Sequence, residues 1–241
     1  MSAAPVEGGR GVLAALVAGR VAFAEAFAEA REVALLAGEE VAVARAVDRR
    51  RREFASGRAC ARRALAQLGL EPVAIPAGRH GEPRWPPGVV GSITHCAHYR
   101  ACAVAHARDV ATLGVDAEPH EGLTAQVRAM IAREEEVRML DELAERAPAV
   151  HWDRLLFSAK EATYKAWFPL TGRWLGFEDA SVTLDPDRGS FVARLLVPGP
   201  VVDGAQVAEF AGRWLVRGGL VITAVAQTRV ASLSPGGARG A

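Results

Sequence analysis

The sequence predicts an α+β chain built from two similar α/β subdomains. Three observations carry that expectation. Each half reads as helices followed by strands, and each closes on an apolar strand, "VATLGVDAEP" in the first and "GLVITAVAQT" in the second. That order of helices and then strands in each half is what suggests two α+β units of similar build. At 241 residues, half of them apolar, the chain has the length and apolar surface for one large domain or two intimate subdomains. No residue-level repeat relates the halves, so the likeness is one of build.

Taken in order, residues 11–69 are rich in Ala and Glu, lack proline and are expected to be helical, with Gly69 as the stop. Residues 71–91, "EPVAIPAGRHGEPRWPPGVVG", hold five prolines and four glycines and read as an ordered loop. "SITHC", "YRACAVAHA" and "VATLGVDAEP" follow as short strands joined by tight turns. Residues 122–147 and 151–167 read as helices. "FEDASVTLD", "SFVARLLV", "QVAEFAGRWLV" and "GLVITAVAQT" read as antiparallel strands. The expected divisions are an N-terminal subdomain at 1–119, a C-terminal one at 120–230 and a disordered tail at 231–241.

Composition narrows the function classes. Net charge is +1, which points to no polyanionic partner. The three cysteines, Cys60, Cys96 and Cys102, form no CxxC and no disulfide framework, which suits a cytoplasmic location. "GVLAALVAG" between Arg10 and Arg20 is too weak to argue for a leader, and no stretch reaches the roughly 20 apolar residues of a membrane span. Eight arginines crowd residues 45–63. They suit a phosphate clamp, a nucleic-acid helix or a solvated face, and Asp48, Glu53 and the near-zero net charge argue against nucleic acid. "HCAHYRACAVAH" gathers histidines and cysteines at a spacing that fits no common zinc finger.

Lys160 and Lys165 are the only lysines among 29 basic residues; all the others are arginine. Under a drift that turns lysine into arginine, lysine persists where a compact ammonium is needed. On the helix at 151–167, Trp152, Leu155, Leu156, Ala159, Ala162 and Ala166 make a core stripe. Arg154, Ser158, Glu161 and Lys165 make a second stripe. Glu161 lies about 200° around from Ala159, so it faces away from that core. Alone, Glu161 and Lys165 read as an i, i+4 surface pair worth a few tenths of a kcal/mol.

"LGVDAEP" adds Asp116 and Glu118, two carboxylates on one side of a strand end. They repel unless a cation joins them, and an all-oxygen set of this kind suits Mg²⁺ with substrate phosphates. "GSITHC" offers Thr94 and His95 as partners for an anion.

Asp-x-Glu after a strand, followed some forty residues later by Lys-Glu-Ala-x-x-Lys on a helix, resembles the 4'-phosphopantetheinyl transferase signature. "RRREF…GR", "GEPRWPPGVVGSITHC" and "KAWFPLTGRWLGFED" are similar to the large, monomeric class of that family, in order over roughly residues 45–230. The resemblance implies two subdomains in pseudo-twofold arrangement with the site at their junction. It implies transfer of the phosphopantetheine arm of coenzyme A to a serine of acyl or peptidyl carrier proteins. Such carriers serve fatty-acid, polyketide, siderophore and nonribosomal peptide synthases. It implies that Asp116, Glu118 and Glu161 hold Mg²⁺ (Mn²⁺ in its place) and that Glu161 takes the serine proton. Arg50, Arg58, Thr94, His95, Lys160 and Lys165 are then phosphate contacts. Arg79, His80, Gly81, Glu82 and Pro83 sit against the adenine, with His80 where close relatives have lysine. Tyr164, Trp174 and Leu175 line a pantetheine tunnel. The competing expectation is a binder of coenzyme A or carrier proteins that catalyses nothing.

Overall fold

The computed structural model describes residues 11–17, 19–27 and 33–229; the expected tail at 231–241 lies outside the described residues. The first half holds a 3₁₀ turn at Leu13–Ala15, strand β1 (Val21–Ala26), a 3₁₀ turn at Glu40–Val43 and helix α1 (Asp48–Gln67). Strands β2 (Val89–Cys96), β3 (Tyr99–His106) and β4 (Val110–Pro119) follow. The second half holds α2 (Ala125–Ile131), α3 (Glu134–Arg146) and α4 (Trp152–Thr171). After them come β5 (Ala180–Asp185), β6 (Ser190–Leu195), the short β7 (Val201–Val202) and β8 (Ala205–Gln206), β9 (Glu209–Arg217) and β10 (Leu220–Thr228).

The expectation of helix throughout 11–69 is corrected by β1. "VAFAEA" alternates with period two. Val21 and Phe23 pack against the core between the sheets, while Ala22, Ala24 and Ala26 pack against the core under α1. Antiparallel pairing with β3, Val21 opposite Ala105 through Ala26 opposite Arg100, outweighs the helix preference of alanine. Helix proper begins only at Asp48 and ends at Gln67; Gly69 follows in the left-handed region at φ 76°.

Three strands form one antiparallel sheet, in the order β1-β3-β2; five form another, β4-β10-β9-β6-β5. β4 therefore belongs to the second sheet, so the break between the sheets falls before Val110. The sheets meet where β4 passes β2, and two hydroxyls replace ladder carbonyls there. Val115 N–H donates to Ser92 Oγ and Ala117 N–H to Thr94 Oγ1, each at 3.0 Å. This satisfies the free edge of β4 without continuing the ladder.

α1 covers the smaller sheet and α4 the larger. All six residues of the core stripe on α4 are buried. The helix runs to Thr171 with Pro169 in its last turns, and Gly172 closes it at φ 63° with its N–H on Phe168 O. Among the described residues no helix is long and apolar enough to cross a membrane.

Candidate active site

Four alternate residues of β4 face successive turns of α4. Thr112 Oγ1 donates to Ala166 O at 2.8 Å. Gly114 lies against Ala162, where an added Cβ would stand 1.9 Å from the Ala162 carbonyl oxygen. Asp116 Oδ2 accepts from Ser158 Oγ at 2.8 Å, and Glu118 Oε2 accepts from Arg154 Nη1 at 3.0 Å. Two strand residues advance about 6.6 Å and four helix residues about 6.0 Å, so the elements stay in step for four contacts. Only glycine at 114 allows the approach that brings the carboxylates onto the helix.

The second stripe of α4 is therefore an interface with β4, not a solvated face. Ser158 is fully buried, and Lys165 reaches across. Lys165 Nζ donates to Asp116 Oδ1 at 2.7 Å and to Val115 O at 3.2 Å, in place of the expected pairing with Glu161. Thr94 Oγ1 also donates to Asp116 Oδ1, at 3.3 Å. Thr94 thus uses its hydroxyl to join the sheets and hold Asp116.

Glu161 is left half-buried without a hydrogen bond to any described residue, lining a cavity of about 210 Å³ with Tyr164, Trp174 and Leu175. Burial raises its pKa, the Asp116 charge raises it further, and Lys165 opposes both. Glu118 is pushed up to about 7, first by burial and then by Asp116, against the pull of Arg154. Fully ionised, the three carboxylates carry one more negative charge than Lys165 and Arg154 neutralise, which adds to burial in pushing both values up. Among the described residues no three acidic, histidine or cysteine side chains converge as a ready metal cluster. The oxygen donor set and its uncompensated charge nevertheless fit a hard dication brought by a diphosphate.

Lys160 corrects the sequence reading. Its side chain is 3% exposed and turns away from Asp116, toward α2, α3 and the segment before β5. Nζ donates to Glu136 Oε2 at 2.7 Å, Phe177 O at 2.7 Å and Ile131 O at 2.9 Å. All three donors are used, so Lys160 is a buried tie between α3, α4 and the segment before β5, not a phosphate contact.

A second cleft, of about 300 Å³, lies between α1, the 76–83 loop and β2. Arg50 and Arg58 line it, while Arg51 donates to Val43 O at 2.9 Å and does not line it. Arg50 Nη1 donates to His95 Nε2 at 2.8 Å. Burial lowers the His95 pKa and the Arg50 charge lowers it further. Arg58 is buried, its Nε on Ile75 O at 2.6 Å and its guanidinium 4.1 Å from the Phe54 ring centre. Its Nη2 is buried without a hydrogen-bond partner.

The "RHGEP" turn is closed by Gly78 N–H on Glu82 O at 2.7 Å and His80 N–H on Glu82 Oε2 at 2.9 Å, with Gly81 at φ 87°. Gly81 and Pro83 line both this cleft and a larger one, of about 760 Å³, which His80, Glu82, Tyr164 and Lys165 also line. The His80 ring meets Phe168 of α4 edge-on at 5.4 Å, and Arg79 is exposed outside both clefts. Neither side chain lines the Arg58 cleft. Tyr164 packs on Trp174 at 4.9 Å between ring centres; Trp174 is 74% exposed and Leu175 buried. The three clefts thus adjoin from α1 across the loop to α4. The sequence reading missed Arg154, Ser158 and Phe54 as parts of the site, although the first two stand on the stripe that holds Glu161 and Lys165.

Comparison with known proteins shows the family. The "4'-phosphopantetheinyl transferase N-terminal domain" profile matches residues 38–105, and that of the "4'-phosphopantetheinyl transferase superfamily" matches residues 112–214. The chain is 52% identical over 233 residues to 4'-phosphopantetheinyl transferase Svp of Streptomyces mobaraensis, covering 95% of each chain. It is 47% identical over 218 residues to 4'-phosphopantetheinyl transferase PptT of Mycobacterium tuberculosis, covering 89% of this chain and 95% of that one. It is 50% identical over 196 residues to 4'-phosphopantetheinyl transferase Npt of Nocardia iowensis, covering 78% and 87%. With both halves matched in order and the carboxylate–lysine junction between them, the chain belongs to the 4'-phosphopantetheinyl transferase superfamily.

Proposed function

We propose that the site transfers the 4'-phosphopantetheine arm of coenzyme A to a serine of apo acyl or peptidyl carrier proteins. The observation that carries this reading is the junction itself: Asp116 held by Lys165, with Glu161 uncommitted one helical turn earlier. Arg50, Arg58 and His95 form the phosphate end of the cleft, the 79–83 turn the adenine wall, and Tyr164, Trp174 and Leu175 the pantetheine end.

The serine oxygen bonds to the β-phosphorus, the bond from that phosphorus to the bridging oxygen breaks, and 3',5'-ADP leaves. Glu161 accepts the serine proton, and burial beside Asp116, which raises its pKa, makes it a stronger base than a free carboxylate. Lys165 sets a compact positive charge beside the diphosphate. Asp116, Glu118 and Glu161 are the residues that would hold Mg²⁺ or Mn²⁺, with Arg154 and Lys165 as their present counter-charges. When bound, the dication neutralises charge on the diphosphate.

Residues of both halves complete the site within one chain, which supports a monomer. Cytoplasmic fatty-acid, polyketide, siderophore and nonribosomal peptide synthases supply the carriers. The test is to mix the protein, coenzyme A, Mg²⁺ and several apo carriers and weigh each carrier by mass spectrometry. Gain of the phosphopantetheine mass is expected; no gain with any carrier would refute the reading.

A further inference from the structure

We infer that Glu39 is a positioning residue that sets Arg58 and so makes the cleft select nucleotides bearing a 3'-phosphate. The inference rests on the proposed phosphate-binding part of Arg58: with the diphosphate proposed at the Asp116 junction, the 3'-phosphate is the one left for the separate cleft that Arg58 lines.

Glu39 is a fully buried carboxylate. Its two oxygens accept four hydrogen bonds. Leu36 N–H donates at 2.9 Å and Ile75 N–H at 2.8 Å. Arg62 Nη1 donates to both oxygens, at 2.9 and 3.0 Å. Ile75 is thus held at both ends, its N–H on Glu39 and its carbonyl on Arg58 Nε. The chain Glu39–Ile75–Arg58 fixes the guanidinium from one side, and the Phe54 ring supports it from another. Ile75 also begins the loop that walls the cleft, where Arg84 N–H returns to Pro76 O at 2.9 Å.

The charge arrangement points the same way. Arg62 occupies Glu39, so the carboxylate offers Arg58 its field without taking its donors. Burial brings the Arg58 pKa down to about 10, and Glu39 is the strongest opposing influence. The result is a charged guanidinium whose buried Nη2 has no hydrogen-bond partner. A buried donor left unmet is costly, and an anion entering the cleft beside Arg50 and His95 removes that cost. A salt bridge formed directly by Glu39 on Arg58 would close the site to phosphate; routing it through Ile75 keeps it open.

The probes are adenosine 3',5'-bisphosphate and AMP, titrated calorimetrically into the full chain. Wild type is expected to prefer the bisphosphate. Glu39→Gln should cut that preference roughly tenfold and leave AMP affinity within about twofold, because only the group that meets the 3'-phosphate is misaligned. Equal weakening of both ligands, or an unchanged preference, would overturn the inference and leave Glu39 a purely structural residue. Arg58→Gln separates the two layers. If it abolishes the preference while Glu39→Gln does not, the phosphate reading stands and the Glu39 inference fails. If it leaves the preference intact, the phosphate reading itself is wrong and the inference falls with it. Should Glu39→Gln fail to fold, the Glu39→Gln/Arg62→Met double variant removes the unpaired buried cation and is held to the same outcome.

Discussion

Lys165 Nζ lies 2.7 Å from Asp116 Oδ1, so the lysine joins the two sequence motifs directly instead of pairing with Glu161 along its own helix. Lys165 also donates to Val115 O, and its compact ammonium suits a space shared by a carboxylate and a backbone carbonyl. A planar guanidinium is longer and needs donors spread in a fork. Lys165→Arg should therefore lower kcat/KM for carrier modification by roughly tenfold or more while the fold is kept. Unimpaired transfer with an unchanged melting temperature would return Lys165 to an incidental surface role.

Glu161 and Asp116 fail in different ways when changed. Glu161 has no hydrogen bond to a described residue, so Glu161→Gln costs little stability and removes only the proton acceptor and a ligand. Asp116 accepts from Lys165, Thr94 and Ser158, so Asp116→Ala also strands a lysine and two hydroxyls. Both variants should lose transfer entirely. Only Asp116→Ala should lower the melting temperature by several degrees, as read by calorimetry; full activity in either would sink its role.

Much of this site is written in local pattern. The spacing of Asp116 and Glu118, and the stripe Arg154–Ser158–Glu161–Lys165, follow from strand and helix periods and need no tertiary knowledge. What those periods cannot tell is what faces the stripe. Helix geometry turns Glu161 away from one core, and a second surface, β4, then covers most of that side. Lys160 shows the same limit. It neighbours Glu161 in sequence, but one 100° step turns it toward Glu136. The β1 segment was legible as a strand only through its pairing with β3, because "VAFAEAFAEA" satisfies alanine-rich helix and alternating strand patterns alike. Glu39 gave no sign of its reach, since Leu36 is its one local partner and Arg62 and Ile75 lie far along the chain.

The Lys160–Glu136 tie gives a stability prediction with no catalytic component. Lys160→Met leaves the buried Glu136 without its cation, a change that costs about 3–5 kcal/mol. Glu136 also accepts from Val182 N–H at 2.7 Å and Arg133 N–H at 2.8 Å, so its acceptors are still needed. The Lys160→Met/Glu136→Gln double variant keeps an acceptor and removes the stranded charge. It should recover part of the loss in denaturant unfolding. A phosphate contact would behave oppositely, keeping stability and losing coenzyme A affinity.

Gly114 tests the register between β4 and α4. A methyl group there meets the Ala162 carbonyl oxygen at 1.9 Å, backbone against which no rotamer offers relief. Gly114→Ala should cost on the order of 3 kcal/mol and push α4 outward. Asp116 and Lys165 then separate, so transfer should fall further than the loss of folded protein explains. A variant with unchanged melting temperature would show that the strand and helix approach less closely than described.

His95 yields a pH prediction whose sign is set by its neighbours. Burial and Arg50 depress its pKa below the usual 6.5, so the free protein holds it neutral at pH 7. In folding terms this lowered pKa costs stability as pH falls through the unfolded value toward the folded one, because the unfolded chain takes the proton more readily. A phosphate bound beside Arg50 reverses the balance, since an anion favours the imidazolium. Binding of adenosine 3',5'-bisphosphate should therefore take up protons on the acid side of neutrality, and the His95 contribution to affinity should grow as pH falls from 7 to 6. Titration calorimetry in buffers of different ionisation enthalpy reads the proton count directly. The ligand's own phosphate ionisations are common to wild type and His95→Gln, so the difference between the two isolates the imidazole. Equal proton uptake by both would remove His95 from the phosphate end of the cleft.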